Sequence, residues 1–290
     1  MKEIIYCHEH ITLDLSQVKN DKDYSVDIIE ETILEFKELK SKGVSTIVDL
    51  TNIGMGRDPE YVNEVMVRSG LKVLQSTGYY KKPFFPQEVF KLSSKELSNI
   101  FIDEIVNGID GIYDKASIIG EVGTGFDFVD EEELKVLEAA ARASFETGAP
   151  IATHTTRGKL GIEQLEVFKK YNVDLNKVTI GHLDLSTDLE YILRVLDNGV
   201  NIAFDKIGRE NVVSDAHRIE MLKKLCDRGH SDRILLSMDI DRKSRFKTQG
   251  GVGYSYLVDT FIPKLEEANI SKKDILNMTS LNAKRIYNIK

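Results

Sequence analysis

The sequence predicts an α/β protein, a single (β/α)8 TIM barrel with an extra C-terminal helix. Eight short apolar runs rich in β-branched residues alternate with longer segments whose apolar residues recur at helical spacing. The short runs are mostly continuous, as is typical of parallel strands that are covered on both faces. No stretch rich in serine or proline divides the chain, so we expect one domain over residues 1–290.

The predicted strands follow one another at regular intervals. Alternating strands and helices can also form a doubly wound open sheet. This alternative is less favoured because no GxGxxG-like turn follows the first run. The predicted strands are 4–7, 46–50, 73–78, 117–122, 151–154, 178–182, 201–205 and 234–239.

The predicted helices carry start and stop signals. DIIEETILEFKELKSKG ends at Gly43, and DEEELKVLEAAARASFETG starts on acidic residues and ends at Gly148. STDLEYILRVLDNG is expected to begin at a cap formed by Ser186 or Thr187. Further helices are predicted over 214–229 and 255–270, with the extra C-terminal helix over 271–289.

Composition and charge exclude several classes of protein. A formal net charge of −8 argues against a nucleic acid or an anionic membrane as the partner. Two cysteines, Cys7 and Cys226, cannot form a disulfide framework. The start MKEIIYCHEH does not resemble a signal peptide, and no apolar run reaches the ~18 residues of a membrane span. We therefore expect a cytoplasmic protein.

Metal-binding side chains concentrate at the carboxyl ends of the predicted strands, where barrel enzymes assemble their active sites. Four of the six histidines lie there, while His217 and His230 are expected to be ordinary surface or capping residues. Since residues i and i+2 of a strand share a face, Cys7 is expected to point away from the neighbouring histidines and pack outside the barrel. The candidate ligands are His8, His10, Glu121, His154, His182 and Asp239.

This set offers more ligands than one divalent ion takes from protein, and it suits two ions about 3.5–4 Å apart. Glu121 has two oxygens and can bridge them. His8, His10 and Asp239 would complete one site, and His154 and His182 the other. A barrel filled by hydrogen-bonded histidines without metal is the alternative.

Cationic residues follow the last two strands and suggest an anion-binding pocket. Gly250, Gly251 and Gly253 come next and would let backbone N–H groups approach an anion. A solvated basic loop is the alternative. The candidate substrate-binding residues are Lys206, Arg209, Arg242, Lys243, Arg245 and Tyr80.

The motifs CHEHI, GEVGT, THT, GHLD, FDKIG and SMDI occur in this order along the chain. This pattern resembles the phosphotriesterase-related family of the amidohydrolase superfamily, most closely its phosphotriesterase homology branch. The resemblance implies a barrel with two zinc ions held by the residues above. Two departures stand out: Glu121 replaces the carboxylated lysine of the phosphotriesterases and lactonases, and Lys206 replaces the histidine that serves their proton relay from Asp239.

The predicted function is that of a metal-dependent hydrolase with two divalent ions, expected to be zinc. It would open an ester, most specifically a lactone with a phosphate or carboxylate group, by metal-activated hydroxide. Asp239 would accept the proton of the attacking water. The alternatives are a phosphoester hydrolase (phosphotriesterase-like or a TatD-type deoxyribonuclease) and a non-catalytic metal-binding barrel. The expected partner is a small anionic ester or lactone, with a homodimer as the assembly.

Overall fold

The computed structural model describes residues 3–112 and 114–289. Eight parallel strands follow one another around a barrel, and each of them overlaps one of the eight predicted runs. They are β1 (Ile4–Glu9), β2 (Val44–Asp49), β3 (Lys72–Leu74 and Ser76–Thr77), β4 (Ile118–Thr124), β5 (Ile151–Thr155), β6 (Val178–Ile180), β7 (Asn201–Phe204) and β8 (Ile234–Leu236).

Sequential strands are hydrogen-bonded neighbours, and Gln75 interrupts the ladder within β3. The barrel closes between β1 and the segment after β8. There, the Asp239 N–H donates to the His8 carbonyl (3.1 Å), and the buried Glu9 carboxylate accepts the N–H groups of Met238 and Ile240. A side chain thus completes the closure where the backbone leaves the sheet.

Helices follow the strands on the outside, as the alternation predicts. The main ones are α1 (Ile29–Ser41), α2 (Pro59–Ser69), α3 (Ser94–Val106), α4 (Glu131–Thr147), α5 (Gly161–Lys170), α6 (Leu189–Leu196), α7 (Asp215–Asp227) and α8 (Ile262–Glu267, preceded by the π-helical turn Leu257–Phe261). The C-terminal helix comprises Lys272–Leu276, the π-helical Asn277–Leu281 and Asn282–Tyr287.

Shorter elements occupy the loops. Leu13–Asp14 pairs with Ser25–Val26 in an antiparallel bridge, and Ser16–Lys19 and Gln87–Lys91 are short α-helices. Single 3₁₀ turns cover Lys22–Tyr24, Ile109–Gly111, Thr156–Gly158, Leu175–Lys177, Leu183–Leu185, Ser231–Arg233, Lys243–Arg245 and Lys247–Gln249.

The helix caps confirm one prediction and correct another. The α4 helix begins at a capping box formed by Asp130 and Glu133 and ends at Gly148, which has a left-handed φ of 73°. The cap of α6 is Asp188, whose carboxylate accepts the Tyr191 N–H at 3.0 Å, so the prediction of Ser186 or Thr187 was wrong. Only Asp188 directly precedes the first helical turn.

A compact apolar cluster fills the lower barrel, inside the strands. The C-terminal helix closes this cluster from below. Its residues are Ile5, Cys7, Val48, Leu50, Leu74, Ile118, Ala152, Ala203, Leu235, Ala283, Ile286 and Tyr287.

The expected position of Cys7 outside the barrel was therefore wrong. The pairing register of β1 against β2 shifts between Tyr6 and Glu9, which breaks the simple alternation of side chains. Cys7 and His8 consequently both face the interior, Cys7 in the apolar cluster and His8 in the polar layer above it.

Within the described residues, none of the helices combines the length and the apolar composition needed to cross a bilayer. The predictions of one domain over residues 1–290 and of a homodimer stay predictions.

Candidate active site

The six candidate ligands converge in a buried layer at the carboxyl ends of the strands, and His154 is the most exposed of them at 8%. Two of them lie just beyond their strands, because β6 ends at Ile180 and β8 at Leu236, earlier than predicted. His182 and Asp239 there have left-handed φ values of 59° and 48°. Such a conformation costs free energy for a residue other than glycine, and it is found preferentially at functional sites.

Glu121 lies at the centre of this layer. Its Oε2 atom is 3.3 Å from His8 Nε2 and 3.2 Å from His154 Nδ1. The same oxygen is 3.3 Å from His182 Nε2, while Oε1 is 3.6 Å from His10 Nε2. One carboxylate therefore meets imidazole nitrogens from four positions of the chain.

Two groups of three ligand atoms are close enough to surround a cation, with all atoms of a group within 4.8 Å of one another. One group consists of His8, His10 and Asp239, as predicted for the first site. The other consists of His8, Glu121 and His182 and does not include His154. His154 nevertheless lies beside it, with Nδ1 2.8 Å from His182 Nε2.

Asp205 orients two of the imidazoles. One of its carboxylate oxygens lies 2.6 Å from His182 Nδ1 and the other lies 3.0 Å from His8 Nδ1. A carboxylate that accepts Nδ1–H fixes the tautomer in which Nε2 carries the free lone pair. The buried His8 Nε2 has no hydrogen-bond partner among the described residues, as expected of a nitrogen reserved for a cation. The residues thus fit divalent metal ions.

His10 has its own support. Its Nδ1 lies 3.0 Å from the Thr51 hydroxyl, and the Thr51 N–H donates to the Asp49 carboxylate at 3.0 Å. The orienting roles of Asp205, Thr51 and Asp49 were not predicted from the sequence. The signal for Asp205 was its place at the end of a predicted strand, since polar residues that end barrel strands face the active site.

The protonation states agree with a ligand role. Burial lowers the pKa values of His10 and His154 to about 3, so both are neutral at pH 7. Burial opposes ionisation of Glu121, but the neighbouring imidazoles of His154 and His8 hold its pKa well below the usual value. Burial also opposes the charged form of His8, yet Asp205 and Glu121 raise its pKa to about 9. His8 therefore holds a positive charge where a bound cation would replace the proton.

The backbone makes room for the histidine layer at Gly123 of β4. A Cβ atom at this position would lie 2.8 Å from the His154 Cβ, closer than side chains pack. Glycine is therefore required for β4 and β5 to approach each other beside the ligands.

A cavity of about 380 Å³ opens above the ligands, within the size range of small-molecule sites. Its wall includes Tyr80, whose hydroxyl is 3.3 Å from His154 Nδ1. Aromatic and apolar side chains from the loops after β1 and β3 form the rest of one side. The cationic residues along the wall are Lys19, Lys81, Arg157, Lys206, Arg209 and Arg242.

Two predicted substrate-binding residues do not line this cavity. Lys243 instead pairs with Asp27 at 2.5 Å, and Arg245 lies half-buried outside the wall. The proposed glycine cradle is also absent from the wall of the cavity. The N–H groups of Gly250, Gly251 and Gly253 donate to the backbone carbonyls of Lys247, Phe246 and Arg245, so they are not free for an anion.

Lys206 and Arg209 are buried against Asp239. The Lys206 ammonium contacts Asp239 Oδ2, and Arg209 approaches the same oxygen at 2.9 Å while also pairing with Asp241 at 3.1 Å. Burial, with the nearby Arg209 charge, lowers the pKa of Lys206 to about 8. Lys206, which replaces the relay histidine of the phosphotriesterases, is thus in contact with Asp239, whereas the neighbouring Asp205 contacts the imidazoles.

Asp184, which also follows β6, turns away from the ligands. Its Oδ2 pairs with the fully buried Arg218 at 2.7 Å, and Arg218 also contacts Asp215 at 3.0 Å. His217 and His230 lie outside the cavity wall, as expected.

Comparisons with known proteins find relatives that are similar over nearly the whole chain. The model of the phosphotriesterase family matches residues 4–287. The phosphotriesterase homology protein of Escherichia coli (strain K12) is 42% identical over 280 residues, which are 97% of this chain and 96% of that protein. Its crystal structure, complexed with phosphate in the active site, is similar with a TM-score of 0.97 and 41% identity over 99% of both chains.

Two further relatives carry names of distinct activities. The phospho-furanose lactonase of Mycoplasmopsis synoviae (strain 53) is 32% identical over 97% of this chain and 86% of its own length. The N-acetyltaurine hydrolase of Dictyostelium discoideum is 32% identical over 93% of this chain and 76% of its own length.

Proposed function

This chain belongs to the phosphotriesterase family of metal-dependent hydrolases, and we propose that it holds two divalent ions and opens a lactone that carries an anionic group. His8, His10 and Asp239 would hold one ion, His154 and His182 would hold the other, and Glu121 would bridge them. Zinc is the proposed metal, because imidazole and carboxylate are its usual ligands in hydrolytic sites.

The observation that carries this proposal is the position of Glu121. Both of its oxygens face imidazole nitrogens, at 3.2–3.6 Å, and its side chain is 3% exposed. A buried carboxylate whose two oxygens approach nitrogen atoms of four imidazoles brings together the oxygen and nitrogen ligands that a pair of divalent cations requires. When bound, the two ions would polarise the scissile carbonyl and lower the pKa of water to about 7.

Neighbouring residues orient the histidine rings and the carboxylate of Asp239. Asp205 keeps the rings of His8 and His182 in one tautomer, and Thr51 does the same for His10. Asp239 directs Oδ1 towards His10 (3.3 Å) and Oδ2 towards Lys206 and Arg209. We propose that Asp239 accepts the proton of the attacking water and passes it to the leaving alkoxide, while Lys206 and Arg209 hold its carboxylate in place.

The cavity supports an anionic substrate. Six cationic residues line it, against the carboxylates of Glu121, Asp239 and Asp241. A small molecule with a phosphate group would gain charge-assisted hydrogen bonds there and could use them to position its ester. The name of the phospho-furanose lactonase relative points to the same type of substrate.

A second candidate is hydrolysis of an amide that carries a sulfonate, favoured by the relative named N-acetyltaurine hydrolase. N-acetyltaurine combines an acetamide with a sulfonate, so it shares a hydrolysable acyl group and a remote tetrahedral anion with a phosphorylated lactone. The same cavity would suit both. The bond that is broken distinguishes the two candidates.

Metal content and a substrate panel test the proposal. We expect two zinc equivalents per chain at saturation, and chelator-sensitive hydrolysis of ribono-1,4-lactone 5-phosphate that exceeds that of ribono-1,4-lactone. N-acetyltaurine and single-stranded DNA complete the panel. Fewer than two equivalents would refute the two-ion site, and turnover of N-acetyltaurine alone would assign the amide reaction. Cleavage of the DNA would favour a nuclease.

A further inference from the structure

The cations that line the cavity fall into two groups. Lys206 and Arg209 are paired with Asp239, and Arg242 is paired with Asp241 at 3.0 Å. These three cations are therefore already ion-paired, with two carboxylates of the wall itself. An incoming anion could bind them only by competing with carboxylates that are already in place.

Lys19 and Lys81 are different. Among the described residues, no carboxylate lies within 4.0 Å of either ammonium, although both line the cavity that contains the candidate ligands. Lys19 ends the short helix after β1, and Lys81 belongs to the loop after β3. Two loops that are distant in sequence thus deliver two unpaired positive charges to one wall.

The ammonium groups of both lysines lie over the same aromatic ring. Their Nζ atoms lie over the face of Phe84, at 5.4 Å for Lys19 and 5.9 Å for Lys81 from the ring centroid. Tyr24 and Tyr80 extend this platform, at 5.2 Å from the Lys19 Nζ and 5.7 Å from the Lys81 Nζ. Cation–π contacts of this kind position an ammonium without consuming its hydrogen-bond donors.

The platform connects directly to the candidate ligands. The Tyr80 ring packs edge-on against His154 with centroids 4.9 Å apart, and also lies 5.2 Å from the Phe84 ring. A substrate that lies along this wall would present one end to the histidine layer and the other to the two ammonium groups. Lys81 donates one hydrogen to the Lys82 carbonyl (3.2 Å), which leaves two for a ligand.

We propose that Lys19 and Lys81 form the subsite for the remote tetrahedral anion of the substrate, a phosphate or sulfonate group, and that Lys206 and Arg209 do not bind it. This inference rests on the proposed function for the position of the scissile bond. Arg157, the sixth cation of the wall, also forms no ion pair within the described part of the chain, but it lies 5.7 Å from the centroid of the Phe126 ring and not over Phe84.

Binding tests the subsite without requiring turnover. Isothermal titration calorimetry would measure the affinity of the zinc-loaded protein for ribose 5-phosphate and ribose. We expect Lys19→Met and Lys81→Met each to raise the Kd of ribose 5-phosphate about tenfold, because each removes one charge-assisted contact. Methionine preserves the aliphatic packing on the rings. Lys22→Met is the matched control, since Lys22 lies in the same loop as Lys19, is exposed and does not line the cavity.

Unchanged affinity in both variants, equal weakening in Lys22→Met, or no measurable binding of ribose 5-phosphate to the wild-type protein would overturn the subsite. Turnover separates this result from the proposed function. With ribono-1,4-lactone 5-phosphate we expect a tenfold higher KM in Lys19→Met and in Lys81→Met, whereas Lys22→Met should keep the KM and kcat of the wild-type protein. A wild-type protein that binds ribose 5-phosphate through both lysines but hydrolyses no lactone or amide would retain the subsite and refute the reaction.

Discussion

Replacing Glu121 by glutamine is the sharpest perturbation of the proposed centre. The substitution keeps the size of the side chain but exchanges one oxygen for an NH2 group, which has no lone pair to offer a metal. Oε2 faces His8, His154 and His182 at 3.2–3.3 Å, and Oε1 faces His10 at 3.6 Å. In either orientation of the amide, one side of the layer meets a hydrogen-bond donor in place of a ligand.

We therefore expect Glu121→Gln to bind about one metal equivalent in place of two. We also expect a loss of kcat/KM of about 10² or more, since removing one group that stabilises the transition state typically costs ~2.7–4 kcal/mol. Elemental analysis of protein dialysed against excess zinc measures the first quantity, and lactone hydrolysis measures the second.

Glu133→Gln is the matched control. Glu133 is an equally buried carboxylate, at 2% exposure, but it accepts the N–H groups of Gly125 and Asp130 outside the histidine layer. This variant should lose stability and keep both metal equivalents. Two tightly bound equivalents and near wild-type kcat/KM in Glu121→Gln would refute the bridging role.

Three further predictions concern the support of the site and the core. Asp205→Asn should weaken zinc affinity about 10–100-fold in a chelator competition while the far-ultraviolet circular dichroism stays unchanged, because the amide keeps only one oxygen to accept from the Nδ1 atoms of His8 and His182 and faces the other ring with an NH2 group; an unchanged affinity would contradict this. Arg218→Met should lower the free energy of unfolding by ~3–5 kcal/mol in urea, since it leaves Asp184 and Asp215 buried without their partner, and adding Asp184→Asn should restore part of the loss. In the native protein, Ellman's reagent should leave Cys7 unmodified, because Cys7 is 2% exposed and burial raises the pKa of its thiol, whereas in guanidinium both thiols should react; rapid labelling of Cys7 in the native state would place it outside the inner cluster.

The candidate ligands could be named before the structure because histidine is scarce, with six in the chain, and because the candidates recur at the ends of predicted strands. Histidines and carboxylates at the ends of several predicted strands must meet if the strands form a barrel. The orienting role of Asp205 was harder to see. Its carboxylate contacts His8 and His182, which are far apart in the sequence, and no local pattern shows that approach.

The predictions that were wrong each rested on a local sequence pattern, and in each case another interaction in the folded chain decided the position of the residue. Simple alternation placed Cys7 outside the barrel, but the register shift in β1 brings it inside. The glycines after β8 were expected to bind an anion, but their N–H groups close turns within their own loop. Lys243 was assigned to the cavity by its position after β8, yet its ammonium pairs with Asp27.

The sequence by itself determined the order of strands and helices, the residue types at the strand ends and the family, because each of these is carried by contiguous residues and their spacing. Only the tertiary structure decided which charges are neutralised and which remain available. Asp239 and Asp241 form ion pairs with three cations of the cavity wall, whereas Lys19 and Lys81 lie over Phe84 with no carboxylate of the described residues within 4.0 Å. The physical reason is that electrostatic pairing depends on distances of a few ångströms between separate loops, and these distances exist only after the barrel has closed.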